Sequence, residues 1–88
     1  MQPKEIYIAD DDQNIRLAIR TFLESEGYNV KDFADGISLL EAFQEHCPDL
    51  IVLDIIMPGM DGFEVCKKIR ETSIVPIIIL TARDTDME

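Results

Sequence analysis

The run Leu50-Ile51-Val52-Leu53-Asp54 decides the fold of this chain, because consecutive apolar residues end abruptly in an acidic one. A short, continuous apolar run of this kind is typical of a strand that is covered on both faces of a sheet. Pro48 stands just before it and prevents a preceding helix from continuing. The sequence therefore predicts a central buried strand with Asp54 at its carboxyl end.

Three further segments favour β-strands, one after the central run and two before it. They are residues 5–9, 28–33 and 76–80. Each is rich in β-branched or aromatic residues, and the turn-forming pair Asp35-Gly36 follows the second.

The intervals between these strands carry the apolar spacing of helices that bury one face. Asp12 and Asp61 are predicted as helix caps, the second in a capping box with Glu64, and Gly27 as the left-handed end of the first helix. The side chains predicted to be buried are Ile15, Ala18, Ile19, Phe22 and Leu23 in the first helix, Ile37, Leu40 and Phe43 in the second, and Val65, Cys66 and Ile69 in the third.

Strands and helices thus alternate, which predicts an α/β fold: a three-layer, open parallel sheet with helices on both faces. With 88 residues the chain forms one domain, residues 1–88. Residues 84–88 are predicted as the first turn of a further helix.

Composition narrows the function classes. The chain has 18 acidic and 8 basic residues, a net charge of −10, which argues against direct binding to nucleic acid or anionic lipid. No apolar run approaches the about 20 residues that span a membrane. Two cysteines, Cys47 and Cys66, are too few for a disulfide framework and are expected to be buried or half-buried thiols. We expect a cytoplasmic protein without membrane contact.

Polar residues follow three of the predicted strands: Asp10-Asp11, Asp54 and Thr81-Ala82. Because sites in parallel sheets form beyond the carboxyl ends of the strands, we expect these residues to converge. Neighbouring carboxylates repel one another unless a cation lies among them, and Mg²⁺ prefers such oxygen ligands. Asp11 and Asp54 are predicted as direct ligands and Asp10 as a ligand acting through water.

A carboxylate on a rigid strand is also a candidate nucleophile. Asp54 is that candidate, Thr81 could donate its hydroxyl to a phosphoryl oxygen, and the small Ala82 would leave room for the group. These residues together predict a metal-assisted phosphoryl acceptor.

Three stretches, residues 8–12, 53–62 and 76–83, resemble the signatures of the receiver domain of two-component response regulators, in order and with suitable separations. The resemblance implies a flavodoxin-like (CheY-like) sheet. It also implies that Asp54 accepts a phosphoryl group from a sensor histidine kinase, promoted by the receiver itself with Mg²⁺ or Mn²⁺. The chain is then a phospho-acceptor switch rather than an enzyme that turns over a small substrate.

By position, the resemblance assigns Asp10 and Asp11 to the acidic pair that binds metal with Asp54. The backbone carbonyl of Ile56 becomes the third protein ligand of the metal, and Thr81 becomes the switch hydroxyl. The side chains of Ile56 and Arg83 flank the phosphoryl site beside Ala82. Since an apolar Ile56 cannot orient water, a long-lived phosphoryl state is predicted.

A complete receiver has a fifth strand and helix, with a Lys that contacts the phosphoryl group, and no lysine of this chain follows the fourth strand. The sequence is therefore expected to be a receiver incomplete at its C-terminus, with strand order 2-1-3-4. Its fourth strand would be an apolar edge, which predicts a homodimer or element-swapped oligomer, or else a partly ordered fragment. Residues 81–84 resemble receivers of the OmpR/PhoB type, which implies transcription regulation, with DNA bound only by an output domain outside this sequence.

Two alternatives stay open. A phosphatase of the haloacid dehalogenase type also uses an Asp nucleophile and magnesium, but Ile56 stands where its second Asp would be. A pseudo-receiver or engineered fragment would keep the fold for protein contacts and lack phosphorylation.

Overall fold

Four strands and three helices alternate along residues 3–80, the part of the chain that the computed structural model describes. The elements are β1 (Glu5–Ala9), α1 (Gln13–Ser25), β2 (Asn29–Phe33), α2 (Gly36–Glu45), β3 (Leu50–Asp54), α3 (Gly62–Arg70) and β4 (Ile77–Leu80). The predicted alternation of elements is confirmed, with ends shifted by one or two residues. The helical turn predicted for residues 84–88 lies outside the described residues.

The strands form one parallel sheet in the order β2-β1-β3-β4. This order confirms the prediction and places β1 and β3 side by side. In the register of the sheet, Ile8 of β1 pairs with Asp32 of β2 on one side and with Val52 of β3 on the other. The carboxyl ends of the two central strands therefore meet at one edge of the sheet.

Helices cover both faces of the sheet, as the three-layer prediction requires. On one face, α2 and α3 cover a core in which Ile51, Leu53 and Val65 are fully buried. On the other face, α1 covers Ile8 and Val52. Because residues of β3 alternate between the two cores, the central strand is buried on both sides, as its apolar run predicted.

The apolar stripe of α1 is only half buried, which corrects the predicted buried face. Ile19 and Leu23 pack against the sheet, whereas Ile15 is 39% exposed, Phe22 is 62% exposed and Ala18 is also exposed. The helix lies mainly against β2 and β1, and Arg16 and Arg20 on it hydrogen-bond to Asp32 of β2. The other half of the stripe then faces away from the strands that α1 covers.

Two further burial predictions are wrong. Ile37 of α2 is 53% exposed, and Leu39 is fully buried in its place. A Cβ on Gly36 would collide with a methyl carbon of Val65, so α2 approaches α3 through the face that holds Gly36 and Leu39. Cys47 is exposed because α2 ends before it, whereas Cys66 is partly buried as expected.

The outer strand β4 pairs only with β3 among residues 3–80, and Ile78 on it is 50% exposed. This agrees with the predicted apolar edge. None of the described helices is long and apolar enough to cross a membrane.

Candidate functional site

Three carboxylates meet at the carboxyl edge of the sheet. Asp10 and Asp11 directly follow β1, and Asp54 is the last residue of β3. One oxygen from each lies within 4.8 Å of the other two. The predicted convergence of these three residues is therefore confirmed, whereas Thr81, Ala82 and Arg83 lie outside the described residues.

The three carboxylates differ in their access to solvent. Asp10 is buried at 2% exposure, Asp54 is partly buried and Asp11 is exposed. Burial raises the pKa of the Asp10 carboxyl, and the charges of Asp54 and Asp11 raise it further, while a hydrogen bond from the Asp12 amide opposes the rise. Ionisation of all three carboxylates is therefore unfavourable in the folded protein, and a bound cation would relieve the repulsion among them.

The donor set fits a hard divalent cation. All three groups are carboxylates that differ in burial. Because Asp11 is exposed, one side of the cluster is open to water. Mg²⁺ is typically held by one or two carboxylates and keeps several waters, a pattern that this arrangement accommodates. The part of the chain spanning residues 3–80 has no other cluster of His, Cys, Asp and Glu with this proximity.

Asp10 is held by hydrogen bonds on its backbone and its side chain. Its N–H donates to the carbonyl of Phe33 on β2 at 3.1 Å, and its Oδ1 accepts from the N–H of Asp12 at 2.9 Å. Nη1 of Arg16 donates to its carbonyl at 2.8 Å. Arg16 was not predicted from the sequence, because a single Arg in a helix carries no signal of a contact made across a loop.

Asp12 and Asp61 begin α1 and α3, as predicted. The side chain of Asp12 accepts from the N–H groups of Asn14 and Ile15. Asp61 and Glu64 exchange two hydrogen bonds of 2.9 Å in the predicted capping box. These two aspartates are thus structural caps that position the loops on either side of the cluster.

Asp54 is positioned by the sheet and by the start of α3. It pairs with Leu80 in the register of β3 and β4, and the next residue, Ile55, donates its N–H to the Leu80 carbonyl at 3.3 Å. Gly62 in turn donates to the Ile55 carbonyl at 2.9 Å. A side chain at Gly62 would collide with the Asp54 carbonyl, so only glycine allows this close approach.

Ile56 lies in the loop after Asp54, and its side chain is 56% exposed. Its predicted place flanking the phosphoryl site stays a prediction. The role of its carbonyl as a metal ligand stays a prediction. Chemically, the site offers a partly buried carboxylate, Asp54, that could act as a nucleophile, next to two carboxylates that could hold a cation.

Comparison with known proteins relates the chain to one family. Residues 6–88 match the family model described as the response regulator receiver domain. The chain is 46% identical over 83 residues to the transcriptional regulatory protein AfsQ1 of Streptomyces coelicolor, covering 94% of this chain and 37% of that protein. It is 41% identical over 87 residues to the response regulator MprA of Mycobacterium sp. strain KMS, covering 98% and 38% respectively. The chain thus spans little more than a third of these relatives.

Solved structures show the same architecture. The chemotaxis protein CheY4 of Vibrio cholerae superposes with a TM-score of 0.88 at 34% identity, over 94% of this chain and 72% of that one. The response regulator TrrA of Thermotoga maritima, solved in complex with Mg²⁺ and BeF, gives a TM-score of 0.86 at 39% identity, over 92% and 71%.

Proposed function

Because the chain belongs to the response regulator receiver family, we propose that Asp54 accepts a phosphoryl group from a phosphohistidine of a sensor histidine kinase. The observation that carries this proposal is the meeting of Asp54 with Asp10 and Asp11 within 4.8 Å at the sheet edge. Asp54 is only partly buried, so a partner's phosphohistidine can approach it.

The proposed transfer is a substitution at phosphorus. A carboxylate oxygen of Asp54 attacks the phosphorus atom, the new O–P bond forms, and the P–N bond to the imidazole breaks. The electron pair of that bond stays on the imidazole nitrogen, which takes up a proton from solvent. The rigid strand β3 holds the attacking oxygen in place, while Asp10 and Asp11 lie beside it.

A divalent cation, Mg²⁺ or Mn²⁺, fits this donor set. We assign Asp11 and Asp54 as direct ligands, Asp10 as a ligand through water and the carbonyl of Ile56 as a further ligand. When bound, the cation would offset the charge that builds up on the transferring phosphoryl oxygens. The relative TrrA has been solved with Mg²⁺ and BeF, which supports this assignment by analogy.

We propose that phosphorylation changes the conformation through Thr81, the switch hydroxyl, with Ala82 and Arg83 flanking the phosphoryl group. Relatives such as AfsQ1 are named transcriptional regulators. For the whole protein we therefore propose control of an output domain that binds DNA. On this proposal the receiver itself binds the kinase and promotes its own phosphorylation, but makes no DNA contact.

A phosphatase of the haloacid dehalogenase type is less well supported. That chemistry needs a second Asp two residues after the nucleophile, and Ile56 occupies this position with an apolar side chain. Without a general acid there, repeated turnover of a phosphomonoester is not expected.

The test is phosphorylation of the chain by acetyl phosphate with Mg²⁺, followed by native mass spectrometry. We expect one phosphoryl mass increment, lost in Asp54→Asn and after chelation of the metal. Asp49→Asn is the matched control, because Asp49 immediately precedes the same strand at its opposite end. An increment that survives in Asp54→Asn, or none at all with Mg²⁺ bound, would contradict the proposal. Continuous release of phosphate from a phosphomonoester would favour the phosphatase instead.

A further inference from the structure

Arg16 bridges two strands at the edge of the sheet that carries the carboxylate cluster. From the first turns of α1, its Nη1 donates to the carbonyl of Asp10 at 2.8 Å and its Nε donates to Oδ2 of Asp32 at 2.9 Å. The Arg16 side chain is only 15% exposed. The guanidinium thus joins the residue that follows β1 to a carboxylate on β2.

The carbonyl that Arg16 binds belongs to the peptide group between Asp10 and Asp11. A peptide group is planar, so a hydrogen bond to its oxygen orients the whole unit from which both carboxylate side chains extend. The N–H of Asp10 is bound to the carbonyl of Phe33 at 3.1 Å. The backbone on both sides of Asp10 is therefore anchored to β2, directly on one side and through Arg16 and Asp32 on the other.

We propose that Arg16 is a positioning residue for the divalent cation site: it holds the Asp10–Asp11 peptide so that both carboxylates face Asp54. This inference rests on the proposed function of the cluster in binding Mg²⁺. Arg16 itself carries a positive charge and binds no cation. It acts through the backbone that carries two of the proposed ligands.

Arg20 provides a matched control. It lies one turn further along α1 and also donates to Asp32, but its second hydrogen bond goes to Glu24 at 3.1 Å rather than to the Asp10 carbonyl. Arg16→Gln and Arg20→Gln therefore remove the same charge and each takes one donor from Asp32. Only Arg16→Gln releases the carbonyl of Asp10.

The direction of the change in Mg²⁺ affinity distinguishes a positioning role of Arg16 from a through-space effect of its charge. Removing a nearby positive charge should strengthen cation binding by an acidic cluster. Losing a group that orients the ligands should weaken it, and outer-shell changes typically cost about 10- to 100-fold in metal affinity. Positioning and through-space charge thus predict opposite changes for Arg16→Gln.

The experiment is calorimetric titration of Mg²⁺ into the full chain and its variants. We expect Arg16→Gln to weaken binding by about tenfold. We expect Arg20→Gln to stay within about twofold of the unmodified chain, as a partly exposed charge would. Arg16→Lys should fall between them, because one ammonium cannot reproduce the fork of the guanidinium. Equal effects of Arg16→Gln and Arg20→Gln, or tighter binding by Arg16→Gln, would overturn the proposal.

A second readout does not depend on metal. The Asp12 N–H donates to Oδ1 of Asp10 at 2.9 Å, so its hydrogen exchange by NMR reports the order of this loop. We expect faster exchange at Asp12 in Arg16→Gln and unchanged exchange in Arg20→Gln. Should Arg16→Gln fail to fold, Arg16→Lys is measured in the same way. If Arg16→Lys leaves both the exchange at Asp12 and the Mg²⁺ affinity unchanged, the proposal is contradicted. An unmodified chain that binds no Mg²⁺ would overturn the magnesium part of the proposed function, while exchange at Asp12 would still decide whether Arg16 orders the loop.

Discussion

Gly62 lies directly against the backbone carbonyl of Asp54, so a side chain at this position would collide with that oxygen. The start of α3 therefore packs on the peptide group that carries the proposed phosphoacceptor. Since the oxygen is part of the central strand, it cannot move aside as the end of a flexible side chain could.

Gly62→Ala is expected to destabilise the fold by about 1–3 kcal/mol, as overpacked interiors typically are. The measurement is the free energy of unfolding in urea. Gly59→Ala is the comparison, because Gly59 has φ +81° but nothing within 4 Å of a Cβ, so its cost comes from backbone strain alone. A Gly62→Ala variant with unchanged stability would show that α3 is not tightly seated against Asp54.

Asp10→Asn is expected to stabilise the metal-free protein at neutral pH by on the order of 1 kcal/mol, because a buried carboxylate beside two others is unfavourable when charged. Burial raises the pKa of Asp10, so the folded state binds its proton more tightly than the unfolded state. Charged Asp10 therefore lowers the free energy of unfolding at pH values above its raised pKa. This destabilisation disappears as the pH falls through the raised pKa toward the usual value of 3.8. The gain from Asp10→Asn should shrink over the same range.

Thermal unfolding in a chelator, repeated from pH 7 down to pH 4, measures this effect. Asp12→Asn is the control: Asn caps helices as well as Asp does, and Asp12 is exposed, so little change is expected. With Mg²⁺ added, the unmodified protein should gain more stability than Asp10→Asn. Equal gains from Mg²⁺ in both proteins would argue against a role of Asp10 at the metal.

Asp32 should show the opposite pH dependence. Burial alone would raise its pKa, but hydrogen bonds from Arg16 and Arg20 outweigh burial and lower the pKa. The stabilisation that Asp32 contributes is therefore fully present at pH values above its usual pKa of 3.8, and it is lost as the pH falls through the lowered pKa. Asp32→Asn should cost about 1.5–3 kcal/mol at neutral pH, the size of hydrogen bonds to charged groups.

The unfolding free energy of Asp32→Asn should consequently vary less with pH in the acid range than that of the unmodified chain. Asp49→Asn serves as the control, since within residues 3–80 Asp49 accepts a hydrogen bond from the N–H of Glu5 and forms no salt bridge with an arginine. Parallel acid profiles for Asp32→Asn and the unmodified chain would contradict the assignment of Arg16 and Arg20 as the cause.

Ile56 is expected to prolong the phosphorylated state, because its apolar side chain cannot orient an attacking water. Ile56→Asn should speed loss of the phosphoryl group by up to about 10²-fold, the lower range for a side chain that assists proton transfer. Decay of the phosphoryl mass increment after removal of acetyl phosphate measures the rate. Ile74→Asn is the control, because Ile74 is 94% exposed and lies before the amino end of β4, whereas the carboxylate cluster lies at the carboxyl edge of the sheet. Equal decay rates in all three proteins would contradict the prediction.

The chain is also expected to self-associate through β4. Ile78 on this strand is 50% exposed, and β4 has a partner on one side only within residues 3–80. Ile78→Lys should shift the chain toward monomer, since a charge on an edge strand opposes pairing. Sedimentation over a range of concentrations tests this, with Ile74→Lys as the control. A monomer at every concentration would make the prediction wrong.

Local patterns were sufficient to predict most elements of the fold. The apolar run before Asp54 predicted a strand buried on both faces, and the spacing of Asp61 and Glu64 predicted the capping box, because both features depend on neighbours in sequence. Parallel strands have their carboxyl ends at one edge of the sheet, so the meeting of the aspartates there also followed from the alternation of elements.

Burial on the helices was less predictable. An apolar stripe shows that a helix has a face to bury, but not which half of the stripe the sheet covers. In α1, Arg16 and Arg20 bond to Asp32 on β2, a contact that the apolar spacing of the helix does not reveal. In α2, the close approach of Gly36 to Val65 of α3 is likewise a contact between elements distant in sequence.

The sequence by itself determined the alternation of strands and helices, the caps and the carboxylates at the strand ends, since short-range periodicity and residue chemistry specify all of these. Only the tertiary structure decided that Arg16 holds the Asp10 carbonyl and that Gly62 touches the Asp54 carbonyl. Both contacts depend on the distance and rotation between packed elements. Those quantities are set by the packing of side chains distant in sequence, which no local pattern encodes.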